Sequence, residues 1–493
     1  MKKTILLATL AASLVSVAKT TGSVEFFNEN TGSFDKGKKG VYKVDNAGVK
    51  TEVKVDGTGL SFGGEFKVED VKVPMEQDKP LLNNFFNHSN IFVKYELPQI
   101  KGVNSYVKGT LNPKVDDQLN FKEGNAELEA DVNYEVMKDV KVGLNSKTVF
   151  PFESTVKGLL PNATASANEN KLLNYGANVK STQKLYVKAF EDEKNEKGYK
   201  LRNVNADITV QHTYAQNEKT TTDKNTAKDV NKSLKYISLS ADATYAAMKD
   251  LDVYGNFRFK YQFNDGMNYK DQYLGDKDLI EGLVDTTKTI SNINEDVNVY
   301  EAPLRYIHAY KIGATYKGFA NTVIDVNGWV NHGHMDGAEL FGKTPINDAL
   351  SIDLVNYGVS AKAEYKGVEN LTLTGKTTLS GLSLIGHKQG SSEATHIGIF
   401  NFAAGAKYDY KVNDKFTVSP EVNGDVKFFA TKGAVVGTVL TLAPKVSAEY
   451  KPIEDLTVGG SIAVPVTFAG TPDNFNYTNT SVKTALNIKY EWK

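Results

Sequence analysis

Residues Leu251-Asp252-Val253-Tyr254-Gly255-Asn256-Phe257-Arg258-Phe259-Lys260-Tyr261-Gln262-Phe263 alternate without interruption. Leu251, Val253, Gly255, Phe257, Phe259, Tyr261 and Phe263 fall on one side. Asp252, Tyr254, Asn256, Arg258, Lys260 and Gln262 fall on the other. A period of two places successive side chains on opposite faces of a strand. The same pattern recurs from Phe416 to Phe428, where Val418, Pro420, Val422, Gly424 and Val426 oppose Thr417, Ser419, Glu421, Asn423, Asp425 and Lys427. It closes the chain, where Val482, Thr484, Leu486, Ile488, Tyr490 and Trp492 oppose Lys483, Ala485, Asn487, Lys489 and Glu491. These segments are far longer than the five or six residues of an ordinary strand. They are long enough for a membrane crossing, which takes about 9–11 residues of tilted strand.

A weak repeat marks where the strands turn. A tyrosine is followed five positions on by Asp or Asn: Tyr134 and Asp139, Tyr245 and Asp250, Tyr316 and Asn321, Tyr365 and Asn370, Tyr450 and Asp455. A sixth copy, Tyr410, has Lys415 at that offset, beside Asp414. Asp and Asn suit a tight turn because their side chains bond to local backbone. Thirteen positions beyond four of these turn residues stand Phe152, Phe263, Phe428 and Phe468, each on the apolar side of its strand. Two aromatic rows about 12 residues apart, at ~3.3 Å per residue and a tilt of ~40°, are separated by about 30 Å, close to the apolar band of a bilayer. A soluble sandwich would alternate in short strands and would not hold two aromatic rows at one spacing. A solenoid would need a constant period, whereas the connections on one side vary from a few residues to more than thirty.

Composition narrows the function. The chain has 493 residues, no cysteine and a net charge of −1. Zero cysteine excludes a disulfide scaffold, thiolate metal sites and a Cys nucleophile. Near-neutral charge argues against nucleic acid as a partner. Lys2 and Lys3 precede the apolar or small residues Thr4 to Val17, and Ser16-Val17-Ala18 fits a small-x-small cleavage site. Residues 1–18 therefore read as a secretory signal peptide, with residues 19–493 as the exported chain. A single N-terminal anchor is disfavoured by the short stretch and its charge flanks. No later run approaches the roughly 20 apolar residues of a membrane helix.

Twenty segments are expected, beginning near Ser23, Gly40, Leu60, Ile91, Val103, Leu119, Val140, Leu173, Lys200, Lys235, Leu251, Val299, Asn321, Asp353, Leu371, Ile397, Phe416, Val435, Leu456 and Asn479. The poorly patterned first four leave a range of 18 to 22. Lipid offers no hydrogen bonds, so such a sheet must close on itself. The expected fold is all-β, an up-and-down antiparallel transmembrane barrel. An even count puts both termini at the short-turn end.

On these features the chain resembles outer-membrane β-barrel proteins of Gram-negative bacteria, porins in particular. The likeness spans essentially the whole exported chain: leader, tyrosine-bounded turns, long opposite loops and the final strand Val482 to Trp492. One departure is Lys493, which follows Trp492 where the family usually ends on an aromatic residue. The resemblance implies an outer-membrane location with both termini periplasmic, contact with outer-membrane lipid, and passive diffusion of small hydrophilic solutes and ions, by a monomer or a homotrimer. It implies no enzyme activity and no cofactor. An energised transporter would need an N-terminal plug, and no stretch of adequate length precedes the first strands.

Strand parity turns many charges inward. Arg258, Lys260, Arg305, Lys311, Glu421, Asp425 and Lys427 are the pore-lining candidates. Charges in such number need water or partners. A barrel of about 20 strands has a bore wide enough for water, beside which a closed salt-bridged interior is the alternative. The longest connection, Asn264 to Asn298, carries eight acids against three lysines and is the candidate constriction loop, with Asp276, Asp278, Glu281 and Asp285 foremost. Its apolar stripe Leu279, Ile280, Leu283 and Val284 needs a surface to pack on, which the barrel wall can supply; an exposed loop is the alternative. Its carboxylates are expected to favour cations.

Other sites rank lower. His332-Gly333-His334-Met335-Asp336 has the look of a metal cluster but no helical i, i+4 spacing and no evident further ligands, so it is read as part of an outer loop and no metal is assigned. Acidic outer loops lack ligand spacing for calcium. No phosphate loop or hydrolase elbow is present. His212 and His308 fall on lipid-facing parity near strand ends and read as interfacial. Two rivals remain: a surface structural or adhesive barrel displaying loops, and an outer-membrane hydrolase using a wall histidine.

Overall fold

The computed structural model describes residues 19–73, 81–115, 121–153, 174–175, 178–192, 196–216, 230–263, 273–275, 304–336, 351–388, 391–431, 434–471 and 474–492. Twenty antiparallel strands form one sheet closed on itself. They are β1 (Thr20–Asp35), β2 (Val41–Val55), β3 (Leu60–Val73), β4 (Asn90–Ile100), β5 (Val103–Val115), β6 (Phe121–Met137), β7 (Val140–Glu153), β8 (Asn178–Ala189), β9 (Leu201–Gln216) and β10 (Val230–Met248). There follow β11 (Leu251–Gln262), β12 (Tyr306–Phe319), β13 (Thr322–Asp336), β14 (Ser351–Val368), β15 (Leu371–Lys388), β16 (Ser391–Tyr408, continuing as Tyr410–Asn413), β17 (Phe416–Thr431), β18 (Ala434–Ile453), β19 (Leu456–Ala463 and Val466–Thr471) and β20 (Asn474–Trp492). The seam joins the first strand to the last, from Gly22 opposite Trp492 to Asp35 opposite Asn479. Every expected segment corresponds to one strand. The largest displacements are at β12 and β16, whose described strands begin at Tyr306 and Ser391 rather than near Val299 and Ile397. The expected leader, residues 1–18, lies outside the described residues.

Four turns at the tight-turn end share one device. Asp139, Asp250, Asn321 and Asn370 all have φ between 57° and 63°. In each case the register slips by one residue just before the turn, as between Glu135 and Met137 or between Tyr365 and Val368. That combination is a tight turn with a bulge, whose last residue must be left-handed. Asn and Asp tolerate that conformation better than other non-glycine residues. The turn residue is therefore selected by its backbone angle, beyond the side-chain bonding the sequence suggests.

Outward positions are apolar and exposed in the isolated chain, among them Leu128, Leu185, Ile312, Val359, Leu379 and Phe402. In water such a belt would drive association; against acyl chains it is solvated. Tyr134, Tyr245, Tyr365, Tyr410, Tyr450 and Tyr490 are exposed near the tight-turn edge. Phe428 and Phe468 stand near the opposite edge, each in a ring pair, with Phe400 and Phe475 respectively. Phe263, just past β11, packs edge-on against Tyr261. The side chain of Phe152 lies outside the described set.

One helix, α1 (Leu81–Asn87), was not expected from the sequence. The ladder between β3 and β4 stops at Glu65 opposite Asn90. Beyond that point β3 would present bare backbone. Asn84 at the helix takes the Glu69 amide at 2.8 Å and donates to its carbonyl at 2.7 Å, and Ser89 Oγ accepts from the Lys67 amide at 3.2 Å. Asn87 reaches across to the Val115 amide on β5. The helix thus supplies the hydrogen bonds that a short β4 withholds. No helix among the described residues is long and apolar enough to cross a membrane.

Candidate functional site

The inner wall of the barrel is the candidate site. Cross-strand register carries parity from strand to strand, so the inward set is fixed once the exposed apolar set is known. Arg258 on β11 grips Asp242 on β10 with two bonds of 2.8 and 2.9 Å. Lys147 meets Glu127 at 2.7 Å, Lys184 meets Asp207 at 3.2 Å and Lys445 meets Glu421 at 3.7 Å. Tyrosines complete the wall: Tyr254 donates to Asp325 at 3.0 Å, Tyr186 to Asp131 at 2.9 Å and Tyr106 to Glu129 at 2.7 Å. These lysines remain wet. Lys147, Lys184 and Lys445 expose 42%, 44% and 40% of their side chains although all point inward. Charges that are paired yet solvated avoid most of the burial cost.

Six of the seven pore-lining candidates sit on inward strand positions. Besides Arg258 and Glu421, Lys260 lies over the Tyr236 ring at 4.2 Å and Lys311 is 6.0 Å from that of Tyr254. Lys427 Nζ stands 3.6 Å from Asp425 Oδ1 as an ion pair. Arg305 stands one residue outside β12, at the rim, and donates to the carbonyls of Gln262 and Phe263 at 3.2 and 2.6 Å. The constriction candidates Asp276, Asp278, Glu281 and Asp285 lie outside the described residues, as does the apolar stripe beside them.

Three residues of that connection are described, and they are inside. Tyr273 is buried and donates its hydroxyl to Asn356 at 2.8 Å. The Leu274 amide donates to Asn331 Oδ1 at 2.9 Å, and Asn331 Nδ2 returns a bond to the Leu274 carbonyl at 3.3 Å. Trp329 Nε1 donates to Asn356 Oδ1 at 2.9 Å. Asn356 Nδ2 is held by Ser380 Oγ at 3.2 Å and the Gly381 carbonyl at 3.0 Å. Trp329, Asn331 and Asn356 are inward residues of β13 and β14. The indole lies against Gly358, where a Cβ would collide with it. Around this anchor the inner wall turns apolar: Ile307, Ile352, Leu354, Leu382, Ile399 and Phe429 point inward and are buried. A polar-walled barrel carries such a patch where something covers it.

The anchor was missed in sequence because Asn and Trp on inward parity look like ordinary wall. The signal was the broken alternation: Ile352 and Leu354 are apolar on the side that elsewhere carries charge. The His332–Asp336 reading is corrected. These residues belong to β13 rather than an outer loop, and the alternation of Val330 continues through His332 and His334. They face outward with His308, and β14 and β15 bring Asp353 and His387 beside them. His212 follows a bulge in β9 and pairs with Leu234.

The sequence matches no protein-family model, and no curated protein matches it. Among solved structures, the chain is similar to OccK1 (OpdK) of Pseudomonas aeruginosa, with 10% identity over 96% of this chain and 99% of that one, at a TM-score of 0.39. It is similar to the copper transporter OprC, with 8% identity, 96% and 83% coverage and a TM-score of 0.41. It is also similar to OmpT, an outer membrane protein of Vibrio cholerae, with 9% identity, 96% and 99% coverage and a TM-score of 0.33. Closed, antiparallel, apolar outside and polar inside, this chain has the fold of outer-membrane β-barrels.

Proposed function

We propose that the barrel is a pore through which small hydrophilic solutes and ions diffuse passively, narrowed by the connection that begins at residue 264. The carrying observation is the solvation of inward charges: Lys147, Lys184 and Lys445 point into the barrel and remain about two-fifths exposed. A closed salt-bridged interior would bury them. The docking of Tyr273, Leu274 and Gly275 on Trp329, Asn331 and Asn356 supports a narrowing element on the wall. Selection then follows from bore width and the field of the fixed charges. Asp276, Asp278, Glu281 and Asp285 would bias the pore toward cations. The tight-turn end and both termini would face the periplasm, as in bacterial barrels generally. No catalytic step is assigned. The test is a planar-bilayer recording of refolded protein. Stepwise conductance with a cation-selective reversal potential in a salt gradient is expected; silent insertion sinks the pore, and anion selectivity sinks the role of the acidic loop.

A further inference from the structure

The outer face of β7 and β8 breaks the apolar belt with uncharged polar side chains. Leu144, Ser146 and Thr148 share the outward side of β7. Ser181, Gln183 and Leu185 share that of β8, with Ser146 opposite Gln183 and Thr148 opposite Ser181. The depth is that of hydrocarbon. On β7, Val142 lies opposite Tyr134 of the tight-turn aromatic row, and position 152 belongs to the far row, so Ser146 and Thr148 fall between the two. Exposed Leu128, Leu144, Leu185 and Ile208 flank the block. Ala130, opposite Ser146 on β6, is too small to cover it.

Part of the block is satisfied within the chain. Gln183 Nε2 donates to Ser181 Oγ at 2.7 Å, and the Thr148 and Ser181 hydroxyls are 3.1 Å apart. The remainder is not. The Ser146 hydroxyl, Gln183 Oε1 and the second hydrogen on Gln183 Nε2 meet no partner among the described residues. Acyl chains offer them none, and the water of the lumen lies behind the sheet. Polar groups held in an apolar medium without partners are costly. At this depth only another protein wall can supply the missing bonds.

We propose that this wall is the interface of a two-fold homodimer within the membrane, with Gln183 near the axis. The amide selects a second copy as the occupant, because it carries both an unused donor and an unused acceptor. Two such amides facing across a two-fold axis exchange a pair of N–H···O bonds, each Nε2 giving the hydrogen that Ser181 does not take to the Oε1 of the other copy. Ser146, directly beside Gln183, gains partners in the same contact. The flanking leucines and Ile208 pack around this polar centre. Between segments embedded in lipid, close packing over small residues and hydrogen bonds across the contact supply the attraction that hydrocarbon withholds. A ring of three would set β7 and β8 against a different wall of the next copy, so a contact of Gln183 with itself separates this dimer from a trimer.

The experiment uses refolded full-length barrel in lipid vesicles at low protein density. Gln183→Cys introduces the sole thiol, since the chain has no cysteine. Mild oxidation is expected to convert most of it to a disulfide-linked dimer that reductant reverses. Leu379→Cys on β15 and Asn28→Cys on β1, outward on other walls, should link at least tenfold less. Gln183→Leu should weaken dimerisation of the otherwise natural chain at least tenfold, read by sedimentation in density-matched detergent, while still running as a heat-modifiable folded band. Equal cross-linking at the three positions overturns the proposal. So does a Gln183→Leu variant as dimeric as the wild type, or a wild type that sediments as a monomer or a trimer while Gln183→Cys forms no dimer. Should Gln183→Cys fail to fold, Ser146→Cys, opposite it on β7, takes its place with the same expected dimer and the same refutation.

Discussion

Single residues decide the turns. Asn370 has φ 61°, the left-handed conformation, and lies beside a register shift. Asn370→Gly should leave stability unchanged or slightly raised, because glycine takes that angle freely. Asn370→Val should cost about 1–2 kcal/mol, since a β-branched side chain strains there. Reversible urea unfolding in detergent micelles measures both; equal stability for Gly and Val would remove the backbone explanation. Asp139 adds a charge to the same geometry. It accepts from the Tyr199 hydroxyl and, at 2.9 Å, from Lys197, so the chain between β8 and β9 is fastened to the preceding turn. The tyrosine hydroxyl first, then the lysine, holds the Asp139 carboxyl below its usual 3.8. The Asp139 hydrogen bond, more than its charge, raises Lys197 above 10.5. A carboxyl with a depressed folded pKa contributes above its unfolded value, and that contribution fades as pH falls through the folded one. The raised lysine contributes below its unfolded value and loses this as pH climbs through the folded one. The clasp should persist from mildly acidic to mildly alkaline pH. Asp139→Asn should speed hydrogen exchange around Tyr199 at pH 7, with no difference from wild type at pH well below 3.8. A difference that persists in strong acid would contradict the clasp.

At the scale of elements, each strand has a lipid side and a water side, and substitutions should be judged by side. Leu379 on β15 faces outward and is more than half exposed in the isolated chain. Leu379→Arg places a charge deep in the apolar belt, at a cost of about 2–4 kcal/mol near the midplane. Lys376→Arg on the inner face of the same strand should change stability little. Chemical unfolding from lipid vesicles distinguishes them, and equal costs would mean the belt is misassigned. This is also the scale at which the sequence was most legible. Strand existence and facing were readable from Leu251 to Phe263, because parity leaves one choice once the apolar side is known. The helix α1 was not readable, since it answers a gap in the β3–β4 ladder that arises only when the strands pair. The anchor was half readable. Apolar Ile352 and Leu354 on inward parity signalled a covered wall, but polar Asn356 gave no local sign that it gathers Trp329, Asn331, Ser380 and Tyr273. Asn356→Ala removes that hub and leaves buried partners unmet, each worth about 1–3 kcal/mol. The expected result is a less stable barrel with larger or noisier single-channel conductance, as the connection loses its hold. Conductance identical to wild type in a folded variant would detach this anchor from the pore.

At the scale of the whole molecule, stability in lipid depends on closure, because a free edge would carry backbone groups with no partner. The closing contact joins residues from opposite ends of the chain, and Ser33 on β1 lies directly opposite Ser481 on β20. Each is small and close in shape to cysteine, and the natural chain has no cysteine to compete. Directly opposed residues in an antiparallel pair have Cβ atoms about 4.5–5.5 Å apart, near the separation a disulfide needs. Ser33→Cys with Ser481→Cys should therefore oxidise readily once the barrel has folded, and slowly in urea. Boiling without reductant would then leave a looped chain of altered mobility in gel electrophoresis, and reductant would restore the linear form. A control pair, Ser33→Cys with Ser238→Cys, joins β1 to β10 across the barrel and should not cross-link within one chain. The seam tests more than topology. Twenty strands give a bore wide enough for a water channel only if the sheet is continuous all the way round, so the inward charges, the docked segment and the outer belt depend on this one ladder. If the seam pair fails to link in folded protein while the control does, the strand order around the barrel is wrong, and with it the facing of every side chain placed by register.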